Sequence, residues 1–185
     1  MSMKRFPLEQ YATLELNQVA FPKTGMVVSQ TPLGSEFTKD APCENGMWVL
    51  ADKAKGYIGS IANVADTPVG IVYTAEKEYD RFHYGLKTFG RKIAGDYPRV
   101  GILGLGDTVT TNCLQYDDSE FATEEELFEA LEAYEETPVY VVPVANSPVP
   151  QLTATKPLAN IYGKVTKFYT VPNGERGVKY QIVNV

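Results

Sequence analysis

The sequence predicts a mainly β fold: a β-barrel or β-sandwich of short antiparallel strands, with one amphipathic α-helix and an extended N-terminal arm. Three observations predict it. From Gly46 onward, short runs of β-branched and aromatic residues alternate with Gly, Pro, Asn and Asp clusters. Only one segment, about 123–135, shows helical apolar spacing behind a capping sequence. Residues 1–42 carry Pro7, Pro22, Pro32 and Pro42 among mixed polar residues, and proline fixes φ and pushes its predecessor toward extended backbone.

The 185 residues are therefore divided into an arm, 1–42, and a β domain, 43–185. The arm is expected to be disordered alone or ordered by docking on a neighbour. Strands are expected at Met47–Leu50, Tyr57–Ile61, Val69–Thr74, Arg99–Leu103, Thr108–Leu114 and Val139–Val142. The helix opens on Thr123-Glu124-Glu125-Glu126, a capping box in which Thr123 caps and Glu126 reaches back. Leu127, Ala130, Leu131 and Tyr134 then form its apolar stripe, and Pro138 follows its end. A C-terminal hairpin is predicted over about 161–185, its arms flanking Pro172-Asn173-Gly174. Residues 75–97 and 143–160, the latter with Pro143, Pro148, Pro150 and Pro157, read as long irregular excursions.

Charge is unevenly spread. Residues 117–136 hold ten acids and no base, leaving 17 bases against 13 acids elsewhere within a net charge of −6. That acidic segment disfavours contact with a nucleic-acid backbone, and a solvated helix face is its expected role. No apolar run reaches the length of a membrane span, and no apolar stretch follows the basic residues near the start, so neither a membrane segment nor a secretory signal is expected. Cys43 and Cys113 read as reduced thiols in a reducing cytoplasm, with a single long-range disulfide as the alternative.

Catalytic templates find little purchase. His83 is the only histidine, set in Arg81-Phe82-His83-Tyr84 with no G-x-S-x-G elbow in the chain. One histidine and two isolated cysteines provide no zinc-ligand pair. The run Gly101-Ile102-Leu103-Gly104-Leu105-Gly106 ends in Asp107, the wrong charge for a phosphate cradle, and is expected to be a strand–turn–strand corner. Asp117, Asp118 and Glu124–Glu126 are the candidate paired carboxylates, expected to be solvated charge. Arg81, Lys87, Arg91 and Lys92, set among aromatics, suit either a single nucleic-acid strand or an acidic protein neighbour, the latter preferred. No catalytic residue, cofactor or metal is expected.

Residues 43–185 resemble the decoration (auxiliary or cementing) proteins bound outside the heads of tailed bacteriophages. The resemblance rests on an ordered series: Glu44-Asn45-Gly46-Met47-Trp48-Val49-Leu50, Pro68-Val69-Gly70-Ile71-Val72-Tyr73, Glu78-Tyr79-Asp80-Arg81, Tyr97-Pro98-Arg99-Val100, Leu105-Gly106-Asp107-Thr108-Val109-Thr110-Thr111-Asn112, Tyr116-Asp117-Asp118 and Lys167-Phe168-Tyr169-Thr170-Val171-Pro172-Asn173-Gly174. It implies a non-enzymatic protein on the capsid surface of a virion, made in the host bacterial cytoplasm. Its implied partner is the major capsid protein, and its implied state a homo-oligomer, with a trimer favoured and neither membrane nor nucleic acid bound. On this reading the arm and the 75–97 excursion carry the contacts, through Phe21, Met26, Arg81, Phe82, His83, Tyr84, Arg91 and Lys92. The alternatives are a phage tail or connector component and, from another class, a small β-barrel carboxylate enzyme or glycan-binding module.

Overall fold

The computed structural model describes residues 2–7, 12–15, 19, 26–28, 30–51, 56–63, 68–74, 92–170 and 174–185. Among them the chain is mainly β, with strands in two sheets and one helix. The strands are β1 (Met3–Arg5), β2 (Val27–Val28), β3 (Trp48–Leu50), β4 (Val69–Val72), β5 (Val100–Ile102), β6 (Thr108–Thr111), β7 (Gln115–Asp117), β8 (Tyr140–Val144), β9 (Ser147–Thr153), β10 (Tyr162–Thr170) and β11 (Arg176–Asn184). The helix α1 (Glu124–Glu132) lies between β7 and β8. Seven strands form the larger sheet in the order β1-β7-β9-β8-β10-β11-β6, and four form the smaller in the order β2-β5-β4-β3. Neither closes into a barrel, and the arrangement is sandwich-like.

Local chemistry explains the elements that the sequence predicts best. Thr123 Oγ1 accepts from the Glu126 N–H at 3.2 Å, while Glu126 Oε2 accepts from the Ala122 N–H at 2.8 Å, one residue earlier than a standard capping box. Leu127 and Leu131 are fully buried, and the three glutamates of the first turn favour the helix dipole. The hairpin β10–β11 pairs from Tyr162↔Asn184 to Thr170↔Arg176 with two irregularities, and Gly174 takes a φ of +88° beyond β10. The glycine-rich corner carries the chain from the small sheet to the large one. Gly106 adopts φ +93°, and Asp107 Oδ2 accepts from the Gly104 N–H at 2.7 Å.

Three expectations are corrected. Residues 143–160 are not an irregular excursion, because β9 lies within them. Pro143, in β8, sits at the irregularity between Val142 and Val144, and Pro148 and Pro150 of β9 precede the Gln151↔Gln115 and Leu152↔Tyr116 pairs with β7. That β7–β9 pair is also parallel, so the sheets are not purely antiparallel. Finally, the described part of residues 1–42 does not wait for a neighbour. Phe6, Ala12, Leu14, Val28, Leu33 and Phe37 are buried against this chain's own domain, β1 pairs with β7, and β2 pairs with β5. Their apolar side chains find enough surface here to offset the entropy of ordering the segment.

Two clusters form the core. One joins the inner face of the large sheet to Trp48, Ile71 and α1, and the other lies around Val49, Ile58, Val72, Cys43 and Cys113. Both cysteines are free and buried. Burial pushes the Cys113 thiol up to about 12 and that of Cys43 well above its ordinary value.

Candidate interaction surface

One short segment organises everything around the surface. Cys43 exchanges both backbone hydrogen bonds with Lys92, at 2.7 and 2.8 Å. The next residue, Glu44, uses Oε2 to accept from Arg5 at 3.2 Å and from the Ala12 N–H at 2.9 Å, and so fastens the N-terminal segment. Asn45 grips Thr74 twice: its Oδ1 accepts from the Thr74 N–H at 2.9 Å, and its Nδ2 donates to the Thr74 carbonyl at 3.1 Å. Gly46 then turns at φ +94° against Cys113, where a Cβ would come within 2.5 Å of Cys113 Cβ. Thus Cys43 and Asn45 hold Lys92 and Thr74, the two residues that flank 75–91. Glu44 and Asn45 are buried polar residues, each with its hydrogen bonds supplied. Sequence reading noted this stretch only as part of a resemblance. The available signal was a polar Cys-Glu-Asn-Gly run directly before an apolar strand.

The small sheet exposes an apolar edge. Val28 is buried opposite Val100, whereas Met26 is 60% exposed and Val27, opposite Gly101, is 39% exposed. Among the described residues no strand pairs beyond β2. Tyr97, ahead of β5, is 61% exposed on a turn held by Leu33 and Phe37, which bond to Asp96, Gly95 and Ala94.

Of the candidate contact residues, Met26 stands on this edge, its carbonyl accepting from the Ile102 N–H. Lys92 is half-buried and paired with Cys43, so its backbone is occupied by the fold. Phe21, Arg81, Phe82, His83, Tyr84 and Arg91 lie outside the described residues. Of these eight, Met26 and Lys92 are the two among the described residues.

The carboxylates near the start of α1 accept hydrogen bonds from nearby backbone and hydroxyl groups. Asp117 Oδ1 accepts from the N–H and hydroxyl of Ser119, which hold its carboxyl below the usual range. Asp118 Oδ1 accepts from the Ser2 N–H, and Glu120 Oε1 accepts from Thr153 Oγ1 and the Ala154 and Thr155 N–H groups. Two adjoining clefts of about 380 and 230 Å³ share Glu36, Ser60 and Asn146. Asp40 and Glu44 line the larger, yet Glu44 is bonded to Arg5, and Glu36 accepts from the Ser60 N–H. None of the carboxylates nominated from sequence lines either cleft. Among the described residues no group of three or more His, Cys, Asp or Glu is arranged to hold a metal ion, and no helix is long and apolar enough to cross a membrane. No family model, curated protein or solved structure matches the chain.

Proposed function

We propose that this chain is a non-enzymatic virion structural protein that decorates or cements the outside of a phage capsid through protein–protein contacts. Its partner on this reading is the major capsid protein, and it acts as a homo-oligomer. The observation that carries the reading is the apolar edge of the small sheet. Met26 and Val27 project from a strand with no described neighbour beyond it, on a scaffold fixed by the Cys43–Asn45 segment. An open edge offers backbone hydrogen bonds to an incoming strand, and exposed apolar side chains add buried area. The resemblance of residues 43–185 to capsid decoration proteins supplies the address.

Deleting the N-terminal segment is not a clean test, because Phe6 and Leu14 belong to the core. The test is to mix the purified protein, and its Met26→Asp/Val27→Asp variant, with capsids that lack it and to image the particles. Regular density at lattice sites for the native protein, reduced about tenfold in occupancy by the variant, is the expected result. Density confined to the portal vertex would make it a connector component, and bare particles would end the virion reading.

One observation favours a glycan-binding module as the second reading. The smaller cleft places Tyr57, 44% exposed, beside Glu36, Ser60 and Asn146. Saturable binding of an oligosaccharide that Tyr57→Ala abolishes would support it.

A further inference from the structure

The large sheet has two differently charged sides. Strand pairing sets Tyr140, Lys164, Gln181 and Thr108 in one row across β8, β10, β11 and β6, and Lys167, Lys179 and Thr110 in another. The row between them, Val165–Tyr180–Val109, and the row beyond, Val141–Gly163–Ile182, are buried in the core. Lys167 is exposed and Lys164 and Lys179 are half-buried, so the lysines belong to the outer face, while Thr110 at the end of the second row is buried. Lys167 and Lys179 stand directly opposite each other, an arrangement that like charges disfavour. Neither these two nor Lys164 has a carboxylate partner among the described residues. Glu15, whose N–H bonds the Thr110 carbonyl, borders the second row.

Helix α1 covers the opposite side of the same strands. Phe128 lies 5.3 Å from Phe168 of β10, and Arg176 of β11 stacks 4.0 Å over Phe168 and reaches Glu132 at 3.6 Å. Glu132 is thereby paired, and Glu126 is committed to the Ala122 N–H. Glu124, Glu125 and Glu129 remain exposed on the solvent side of the helix. Among the described residues, bases without a carboxylate partner thus face one way from β10, with Lys167 lying 5.7 Å over the Tyr169 ring, and acids without a basic partner face the other.

We propose that the occupant of the lysine face is a second copy of this chain, presenting the acidic side of α1 in a head-to-tail contact. Charge complementarity selects the partner: each copy carries both halves of the contact on opposite sides, where they cannot satisfy each other internally. Such a heterologous contact closes into a ring or propagates as a chain, according to the rotation between copies. The inference rests on the oligomer part of the proposed function and not on the capsid.

The test is sedimentation velocity of the whole chain across protein concentration and salt. The native protein is expected to self-associate at low ionic strength and to dissociate as salt rises, because the contact is electrostatic. Lys164→Glu/Lys167→Glu/Lys179→Glu and, separately, Glu124→Lys/Glu125→Lys/Glu129→Lys should each weaken association by about a hundredfold or more, with circular dichroism unchanged. The chain carrying all six reversals should associate again. If the lysine reversal alters the fold, the same lysines changed to Gln give the same readout. A native protein that stays monomeric, a single reversal without effect, or six reversals that fail to restore association overturns the proposal. A monomer that still occupies capsid lattice sites would overturn this contact while leaving the capsid reading intact.

Discussion

Trp48 and Tyr180 meet across the two sheets: the indole N–H donates to the phenol oxygen at 2.9 Å, and both side chains are fully buried. Their rings lie 6.0 Å apart and tilted, so one pair supplies both a polar and an aromatic link between layers. Burial also pushes the Tyr180 hydroxyl far above its ordinary value, which keeps it protonated while its oxygen accepts from Trp48.

Tyr180→Phe removes the acceptor and leaves the indole N–H buried without a partner. The expected loss is about 1–3 kcal/mol of stability, read as a lower urea midpoint with an unchanged slope. An unchanged midpoint would mean that the hydrogen bond contributes nothing net.

Glu44→Gln weakens the fastening of the N-terminal segment at both Arg5 and Ala12. Arg5 is 37% exposed, so the ion pair itself contributes little, and the larger effect comes from the Ala12 N–H. Hydrogen exchange at Ala12 should accelerate by about tenfold while Trp48 and its neighbours keep their protection. Equal acceleration throughout the chain would show that the segment does not open separately.

Asp107 predicts a pH dependence of definite sign. Its side chain is fully buried, with one oxygen bonded to Gly104 and the other without a partner among the described residues, and burial raises its pKa from an ordinary 3.8. A raised carboxyl pKa means that the folded state holds the proton more tightly, so this group disfavours folding increasingly as pH rises from about 4 through its folded value. Asp117, held low by Ser119, acts oppositely, and its contribution is lost as pH falls. Asp107→Asn should therefore gain stability relative to the native protein as pH rises through that window, as measured by urea midpoints. A difference that shrinks with rising pH would contradict the assignment.

Cys43 and Cys113 should resist a thiol reagent in the native protein, since burial keeps both protonated and covered. Labelling should appear only with denaturant, tracking global unfolding. Rapid native-state modification of either would show that the second core opens locally.

What the sequence revealed follows from how far each interaction reaches along the chain. The capping of α1 by Thr123 and Glu126, the β10–β11 hairpin and the Gly104–Asp107 corner are fixed by near neighbours, and their residue types announce them. Strand β9 was hidden because Pro148 and Pro150 count against a strand unless the register that excuses them is known. The burial of Phe6 and Leu14 was hidden for a similar reason, since their partners are Leu114 and Thr111, far along the chain. Of the described candidate contact residues, Met26 stands at the edge of the small sheet, and the lysine rows became visible as a face only once β10 and β11 were in register.

The double grip of Asn45 on Thr74 and the backbone exchange between Cys43 and Lys92 have a practical outcome for anyone reshaping this molecule. They act as two fixed posts belonging to the scaffold, whatever sequence spans residues 75–91. The entropy of joining the posts grows slowly with span, by about 0.6 kcal/mol for each doubling of length. A foreign peptide substituted between Thr74 and Lys92 is therefore expected to be carried with both posts and the fold in place.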